Sequence, residues 1–341
     1  MKRFLSILLL PVIALLAGQV YAIEAIPEEA GWSGHLRLGA GGFESKTNMV
    51  AGIDKYSIEV GDAKIDSLGD SPDSKSTPVP QVNLNLKYTF ETQTQLFIGN
   101  SLEDIVQLDL VTLFGVRQQF SDRSILEVSA VKSPSFGPVQ VWEDPYVVGE
   151  DREETERNSK GLRIEYDKIL GSGFGLRFTQ RETEIDDELS GTTQLGLSGE
   201  QAALLDREGD TTSVAVNYTF KPVGRNIFSL RVGTSDDDRD GEAMAGDSNQ
   251  IQLTYVHLGD RFITAINGAF LSKDYDARNP VFDKTREDDG YSLAFLFFDK
   301  GLFDSKDWWG QASVIYIEQD SNIDFYDQNV ASVIVGVQRN F

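Results

Sequence analysis

Apolar and polar residues alternate strictly along parts of this chain. In the segment 81–90, five apolar residues from Val82 to Phe90 occupy every even position, and polar residues occupy the odd positions. The same two-residue period recurs at 105–120 and 210–221. Alternation of this kind predicts β-strands that have one apolar and one polar face.

The pattern predicts about 14 strands. The segments that carry it are 32–43, 81–90, 92–99, 105–120, 124–131, 159–170, 174–183, 211–221, 226–234, 249–258, 261–271, 290–299, 308–317 and 330–341. Long and short connections alternate between them, which places the long connections on one side of an antiparallel up-and-down sheet. One misassigned hairpin would change the number of strands to 12 or 16.

The amino terminus predicts export from the cytoplasm. Lys2 and Arg3 precede an apolar run at 4–18, and small residues follow as far as Ala22. This order is typical of a secretory signal peptide, here residues 1–22. A transmembrane anchor fits less well, because the run is short and contains Pro11.

Two all-β folds remain for residues 23–341. A soluble sandwich would also alternate, but its connections need not separate by length. An all-β transmembrane barrel of the bacterial outer membrane accounts for the alternation, the short turns on one side and the signal peptide together. Its apolar face would contact lipid, and closure would pair every backbone group.

The composition and charge of the chain exclude one class of function and indicate where its acidic residues lie. The 341 residues include 54 acidic and 31 basic residues, two histidines and no cysteine, for a formal net charge of −23. Such a chain lacks the basic surplus that binding to nucleic acid requires. Most of the acids lie in the long connections, which predicts long acidic extracellular loops. There, divalent cations could bridge the loops to lipopolysaccharide phosphates.

The sequence does not predict an enzyme. Hydrolysis by a serine nucleophile usually needs a histidine base, and the only candidates are His35 and His257. Neither lies in a recognisable motif, so we interpret both as structural. The loop acids show no spacing that singles out a catalytic pair.

The polar faces of the predicted strands carry charges of both signs. The predicted lumen-lining residues are Arg37, Lys87, Asp109, Arg117, Arg163, Glu165, Arg177, Arg181 and Arg231. Charges on an inner wall select solutes by size and charge, and about 14 strands leave a wider lumen than eight do. We therefore predict a porin-like channel for passive diffusion of small hydrophilic solutes. The alternative is a plugged, non-conducting barrel that acts as a surface-interaction or structural module.

Two motifs in the predicted loops suggest local structure. The segment 236–241 reads Asp-x-Asp-x-Asp-Gly, a pattern that suits calcium. The candidate calcium ligands are Asp236, Asp238, Asp240 and Asp247. A solvated acidic loop is the favoured alternative, since no helices flank the motif and Asp replaces the usual Glu. Ser198 and Gln201 resemble a capping box that starts a short helix, with an irregular segment as the alternative.

Several segments together resemble a known family. They are 67–74, 95–120, 142–157, 186–191 and 203–210. The chain resembles an uncharacterised family of proteobacterial outer-membrane β-barrel proteins catalogued as a domain of unknown function. The resemblance implies the fold and the location but supplies no catalytic residues. The alternating carboxyl terminus that ends in Phe341 also resembles the signal recognised by the barrel-assembly machinery.

Overall fold

The strands of this protein form one closed antiparallel sheet. The computed structural model describes residues 25–53, 58–100, 111–133 and 138–341, so the predicted signal peptide and Asp109 lie outside the described residues. The strands are β1 (Gly31–Lys46), β2 (Val50–Ile53), β3 (Ile58–Glu59), β4 (Lys75–Thr89), β5 (Thr94–Asn100), β6 (Thr112–Gln119), β7 (Ile125–Lys132), β8 (Val139–Trp142), β9 (Glu154–Asp167), β10 (Phe174–Ile185), β11 (Gly209–Thr219), β12 (Asn226–Arg239), β13 (Gly246–Leu258), β14 (Phe262–Asn279), β15 (Lys284–Asp299), β16 (Trp308–Ser321) and β17 (Gln328–Asn340).

Fourteen of these strands make the barrel wall, and β2, β3 and β8 lie at its outer end. Each wall strand pairs with the next one along the chain, and β17 pairs with β1 to close the barrel. The predicted all-β, 14-stranded barrel is therefore confirmed. Within the described residues, the structure contains no helix long and apolar enough to cross a membrane.

The helical elements are short. They are α1 (Gly199–Ala203) and three 3-10 turns at Ile169–Gly171, Leu302–Asp304 and Asp324–Tyr326. Ser198 Oγ accepts from the Gln201 backbone N–H, and the Gln201 side chain accepts from the Ser198 backbone N–H, which completes a capping box. The predicted helix start is confirmed.

The apolar face of the barrel points outward. Exposed side chains such as Leu84, Val116 and Val335 alternate with inward residues that are largely covered. At the short-turn end, the outer surface carries aromatic rings in contact, including Trp32 with Tyr88 at 5.0 Å. This arrangement is typical of the aromatic girdles of membrane barrels.

Charged residues mark the outer limit of the lipid-facing band. On β9 and β10, Leu162 is the last outward apolar residue before Lys160, which forms ion pairs with Glu182 and Glu184 at 3.3 and 2.8 Å. The strands continue beyond this point, so they are longer than the alternation of apolar residues predicted. β12 reaches Arg239 and β15 starts at Lys284.

Glycines allow the closing strands to approach each other. A Cβ at Gly41 would overlap the carbonyl oxygen of Val333 on β17. The neighbouring Gly42 faces outward, and no atom lies within 4 Å of the position its Cβ would take. Pairing of β1 with β17 therefore requires glycine at position 41, whereas position 42 has space for a side chain.

The inner wall has an apolar side. Val256, Ala265, Leu296, Ile317 and Val330 form a buried cluster on β13–β17. The prediction that inward faces are polar holds on β9–β12, whereas on β13–β17 this apolar cluster replaces part of an otherwise polar inward face. Here the inward side chains pack against one another, as in a protein core.

A cap of packed loops covers the outer end of the barrel. We define the cap as residues 47–53, 58–74, 138–153, 186–208 and 322–327, which include β2, β3, β8 and α1. β8 pairs with the outer end of β9, and β2 pairs with β8. Val50, Val60 and Val141 bury their side chains beneath the cap against Ile185 of β10. The described residues of the cap thus fold into one packed element.

Candidate functional site

A cavity of about 450 Å³ lies between the cap and the barrel wall. Met49, Val50 and Val141 line it from the cap, and residues of β9–β17 line it from the barrel. Among the described residues, the charged side chains of its lining are nine basic and two acidic. They are Arg157, Arg163, Arg177, Arg181, Arg207, Arg231, Arg239, Lys273 and Arg286, with Asp237 and Asp288. This interior is basic although the whole chain is strongly acidic.

Because side chains alternate between the two faces of a strand, these basic side chains point into the lumen. Arg177 and Arg181 occupy odd positions of β10, all of which face inward, and Arg231 does the same on β12. Small residues pair with them across the sheet: Gly161 lies opposite Arg181, and Ala215 lies opposite Arg177. The small neighbours leave room for the long side chains.

Several of the basic residues have acidic partners. Arg177 binds Glu165 at 2.8 Å. Asp237 accepts from Lys273 at 2.5 Å and lies 3.4 Å from Arg239. Because one carboxylate serves two cations here, the ion pairs leave the cavity with a surplus of positive charge.

Arg286 connects the cavity to the cap. Two nitrogens of its guanidinium group bind the Asp288 carboxylate, Nε at 2.8 Å and Nη2 at 2.6 Å. Its guanidinium lies over the ring of Tyr275 at 4.5 Å and over the ring of Tyr326, a cap residue, at 3.9 Å. Such cation–π contacts hold a guanidinium in a fixed position.

The cap has an aromatic core of its own. Tyr146, Phe325 and Tyr326 are buried together with Leu205 and Ile323. The hydroxyls of Tyr146 and Tyr326 are 2.6 Å apart, and the Asn279 amide of β14 donates to Tyr326 at 2.7 Å. The cap is therefore anchored to the wall by specific contacts.

Two buried arginines hold the cap loops together. Arg152 donates to the carbonyl oxygens of Asn48 and Pro145 and lies over the Trp142 ring at 4.3 Å. Burial lowers the pKa of Arg152 to about 10, and the nearby Asp62 opposes this shift. Arg207 donates to the Trp142 carbonyl at 2.7 Å and to Glu188 at 2.7 Å.

The short-turn half of the lumen is more tightly filled. Arg117 and Glu127 form an ion pair at 2.6 Å with both side chains almost wholly buried. Ile26, which precedes β1, packs against Ile125, and its backbone N–H donates to Gln119. The cavity therefore belongs to the outer half of the barrel.

The predicted lumen residues fall into two groups. Arg163, Arg177, Arg181 and Arg231 line the cavity. Arg37, Lys87, Arg117 and Glu165 lie on inward positions but not on its lining, and Asp109 lies outside the described residues.

Sequence reasoning missed five of the nine basic cavity residues. They are Arg157, Arg207, Arg239, Lys273 and Arg286. All five lie in segments that were predicted to be outer connections. Arg157 and Arg163 are separated by an even number of positions along β9, and so are Arg239 and Arg231 along β12. Each pair therefore faces the same side of its strand. Extending the two-residue period would have identified Arg157 and Arg239.

Most of the acidic motif at 236–241 lies on strand β12 and not in a loop. Asp236 and Asp238 occupy outward positions of β12, and Asp236 pairs with Asp247 of β13. The intervening Asp237 faces the cavity. Assigning Asp236 and Asp238 to a loop is wrong, because both residues pair across the sheet with β11, opposite Thr212 and Asp210. Within the described residues, no three His, Cys, Asp or Glu side chains are grouped so that they could hold a metal ion.

The two histidines have amide partners. His35 Nε2 lies 3.0 Å from Asn83 Oδ1 on the inner wall. His257 Nδ1 lies 2.9 Å from Asn226 Oδ1. These contacts are typical of histidines that brace neighbouring strands.

One family model matches nearly the whole chain. A family model described as "Protein of unknown function (DUF2860)" matches residues 31–340. No curated protein matches the chain.

Solved structures of outer-membrane proteins resemble the chain at low sequence identity. OmpT of Vibrio cholerae is 10% identical, with 92% of this chain and 97% of that chain covered and a TM-score of 0.42. The anion-selective porin from Comamonas acidovorans is 10% identical, with 92% and 99% covered and a TM-score of 0.39. The CymD monoaromatic hydrocarbon channel is 10% identical, with 94% of each chain covered and a TM-score of 0.46. The likeness concerns the fold alone.

Proposed function

Since the chain belongs to the DUF2860 family, whose function is unknown, we propose from its geometry that it is a channel of the bacterial outer membrane. It passes small hydrophilic solutes and prefers anions over cations. The observation that carries this proposal is the basic lining of the cavity inside an acidic barrel.

The preference for anions follows from electrostatics. A narrow space lined by one sign of charge and enclosed by walls of low dielectric constant concentrates the opposite ion. Rings of arginine and lysine act in this way in anion-conducting pores. The acids outside the barrel are screened by solvent and salt over roughly 10 Å, so they oppose this field only weakly.

In this proposal the cap is the gate. It covers the outer end of the cavity, and its aromatic core gives it a stable closed position. Solutes pass when the cap moves away from the β9–β12 wall. Loops that close barrels in this way commonly move on slower timescales than side chains do.

Reversal potentials in planar lipid bilayers under a potassium chloride gradient test the proposal. We expect discrete conductance steps with a higher permeability for chloride than for potassium. Substituting Arg181→Glu together with Arg231→Glu changes the charge of the lining by four units and is expected to reverse this preference.

Arg278→Glu is the matched control, because Arg278 lies at the outer end of β14, is mostly exposed and binds Asp283 outside the cavity. Its selectivity should equal that of the parent. Equal selectivity in the double variant and the parent would contradict the proposal.

A second candidate function is a non-conducting barrel whose cap serves as a surface-interaction module. The packed aromatic core of the cap favours it, because such a core presents a fixed outer surface. Phe325→Ala, which loosens this core, separates the two functions. Increased conductance supports the gate, whereas folded protein that gives no conductance with or without this change supports the second candidate.

We further propose contacts that suit this location. The acidic outer surface would be bridged by divalent cations to lipopolysaccharide, and the outward face of β17, ending in Phe341, would be recognised by the barrel-assembly machinery. Val333, Val335 and Phe341 are exposed along this face, as such recognition requires.

A further inference from the structure

Three arginines converge at the outer edge of the cavity. Arg157 lies on β9 opposite Ile185 of β10, and Arg239 lies on β12 opposite Gly209 of β11. Arg207 precedes Gly209 by two residues and lines the same cavity. All three residues lie beyond Lys160 and the charged residues that end the lipid-facing band.

One donor in this group is buried and has no hydrogen-bond partner. The side chain of Arg207 is 8% exposed, and its Nε and Nη2 are engaged by Glu188 and by the carbonyl oxygens of Trp142 and Glu143. Its Nη1 is buried without a partner. A buried guanidinium N–H that lacks an acceptor is costly, so this geometry suits a ligand that supplies one.

The cavity lining around this group is mostly basic, although Glu188 binds Arg207 and Asp237 binds Arg239. Arg239 donates to Thr211 at 2.9 Å and to the Arg207 carbonyl at 3.3 Å, and it shares Asp237 with Lys273. Burial, together with the positive charges of Arg239 and Arg207, lowers the pKa of Arg157 to about 10. Three like charges held close together in a covered space favour an anion among them.

We propose that Arg157, Arg207 and Arg239 form a binding site for the phosphate group of a small solute. The site deepens the proposed channel function, on which it rests for the route by which the solute enters. A phosphate presents several acceptor oxygens and two negative charges, which guanidinium groups bind through paired hydrogen bonds. A carboxylate has fewer acceptors and a single charge. The cavity, at about 450 Å³, is of the size that holds small ligands.

Isothermal titration with inorganic phosphate tests the site directly. Protein refolded into detergent micelles free of lipopolysaccharide should bind one phosphate per chain, and acetate should bind at least about tenfold more weakly. The double variant Arg157→Gln, Arg239→Gln should weaken phosphate binding by about tenfold or more. Arg278→Gln removes the same type of charge outside the cavity and should bind as the parent does.

Heat-modifiable migration on gels verifies that each variant is folded. If the double variant does not fold, Arg157→Lys is measured instead, because it keeps the charge but loses the planar pair of donors. It should bind phosphate several times more weakly. Equal binding by the parent and these variants would overturn the assignment, as would equal binding of acetate and phosphate.

Bilayer recordings separate the failure of this site from the failure of the channel. Phosphate added to chloride solutions should reduce the chloride current of the parent, and this block should be lost in the double variant. Anion-selective conductance without phosphate binding would refute the site and leave the channel intact. Phosphate binding without conductance would refute the channel and leave the site.

Discussion

At the residue scale, the effect of a buried charge on the stability of this barrel depends on its ion-pair partner. Arg117 binds Glu127 at 2.6 Å and stacks over the Phe97 ring at 4.4 Å, and both charged side chains are almost wholly covered. Taking both charges out of water is costly, and the pair offsets this cost only while both members are present. The pair therefore acts as a unit.

Glu127→Gln should destabilise the folded barrel by roughly 3 kcal/mol, because it leaves the Arg117 charge buried without its counter-ion. Urea unfolding in micelles measures the change. Asp260→Asn is the control, since Asp260 and its partner Arg225 are exposed, and it should cost far less stability than Glu127→Gln. Equal losses of unfolding free energy in the two variants would contradict the claim that burial makes the Arg117–Glu127 pair important for stability.

The sequence could predict part of the candidate site at this scale. Arg163, Arg177, Arg181 and Arg231 lie where apolar residues alternate with polar ones, so their inward direction follows from the period. Arg207 could not be placed, because its position depends on how the cap loops pack. Ion pairs between strands, such as Lys273 with Asp237, depend on a register that the pattern does not define.

At the element scale, the strands were predictable where they face lipid. Outward residues beyond the lipid-facing band become polar, as Asp236 and Asp238 do on β12, so the apolar alternation ends before the strand does. β2 and β8 were not predicted for another reason. Their residues are buried on nearly every side, so no polar face alternates with the apolar one.

The glycines of β1 offer a test of closure. Gly41→Val should prevent the native β1–β17 pairing, because its side chain would overlap the Val333 carbonyl. We expect loss of heat-modifiable migration and rapid proteolysis. Gly42→Val makes the same chemical change on the open outward face and should migrate as the parent does. A normally folded Gly41→Val barrel would contradict the close approach.

At the scale of the whole molecule, charge is separated between inside and outside. The basic cavity lies within a chain of net charge −23, so the acids crowd the exterior and the outer end. Glu143 of the cap shows the effect. Partial burial raises its pKa, and the nearby charges of Asp187 and Glu153 raise it further.

Acidification should therefore stabilise the cap. A carboxyl whose pKa is raised by folding contributes stability at low pH, and this contribution is lost as the pH rises through the folded-state pKa. Protection of residues 138–153 from hydrogen exchange, corrected for intrinsic rates, should be higher at pH 4.5 than at pH 7. Glu143→Gln should reduce this difference, and an unchanged difference would count against the crowding of acids.

The seam between β1 and β17 constrains how the barrel can fold. His35 pairs with Asn340 and Lys46 pairs with Asn329, so closure joins residues that are nearly the whole barrel apart in sequence. Contacts of such long range form slowly, since the intervening chain must first be ordered. Until closure, β1 and β17 each present unpaired backbone groups, which are prone to pairing with other chains. During assembly of this barrel, pairing of β1 with β17 therefore competes with aggregation between neighbouring chains.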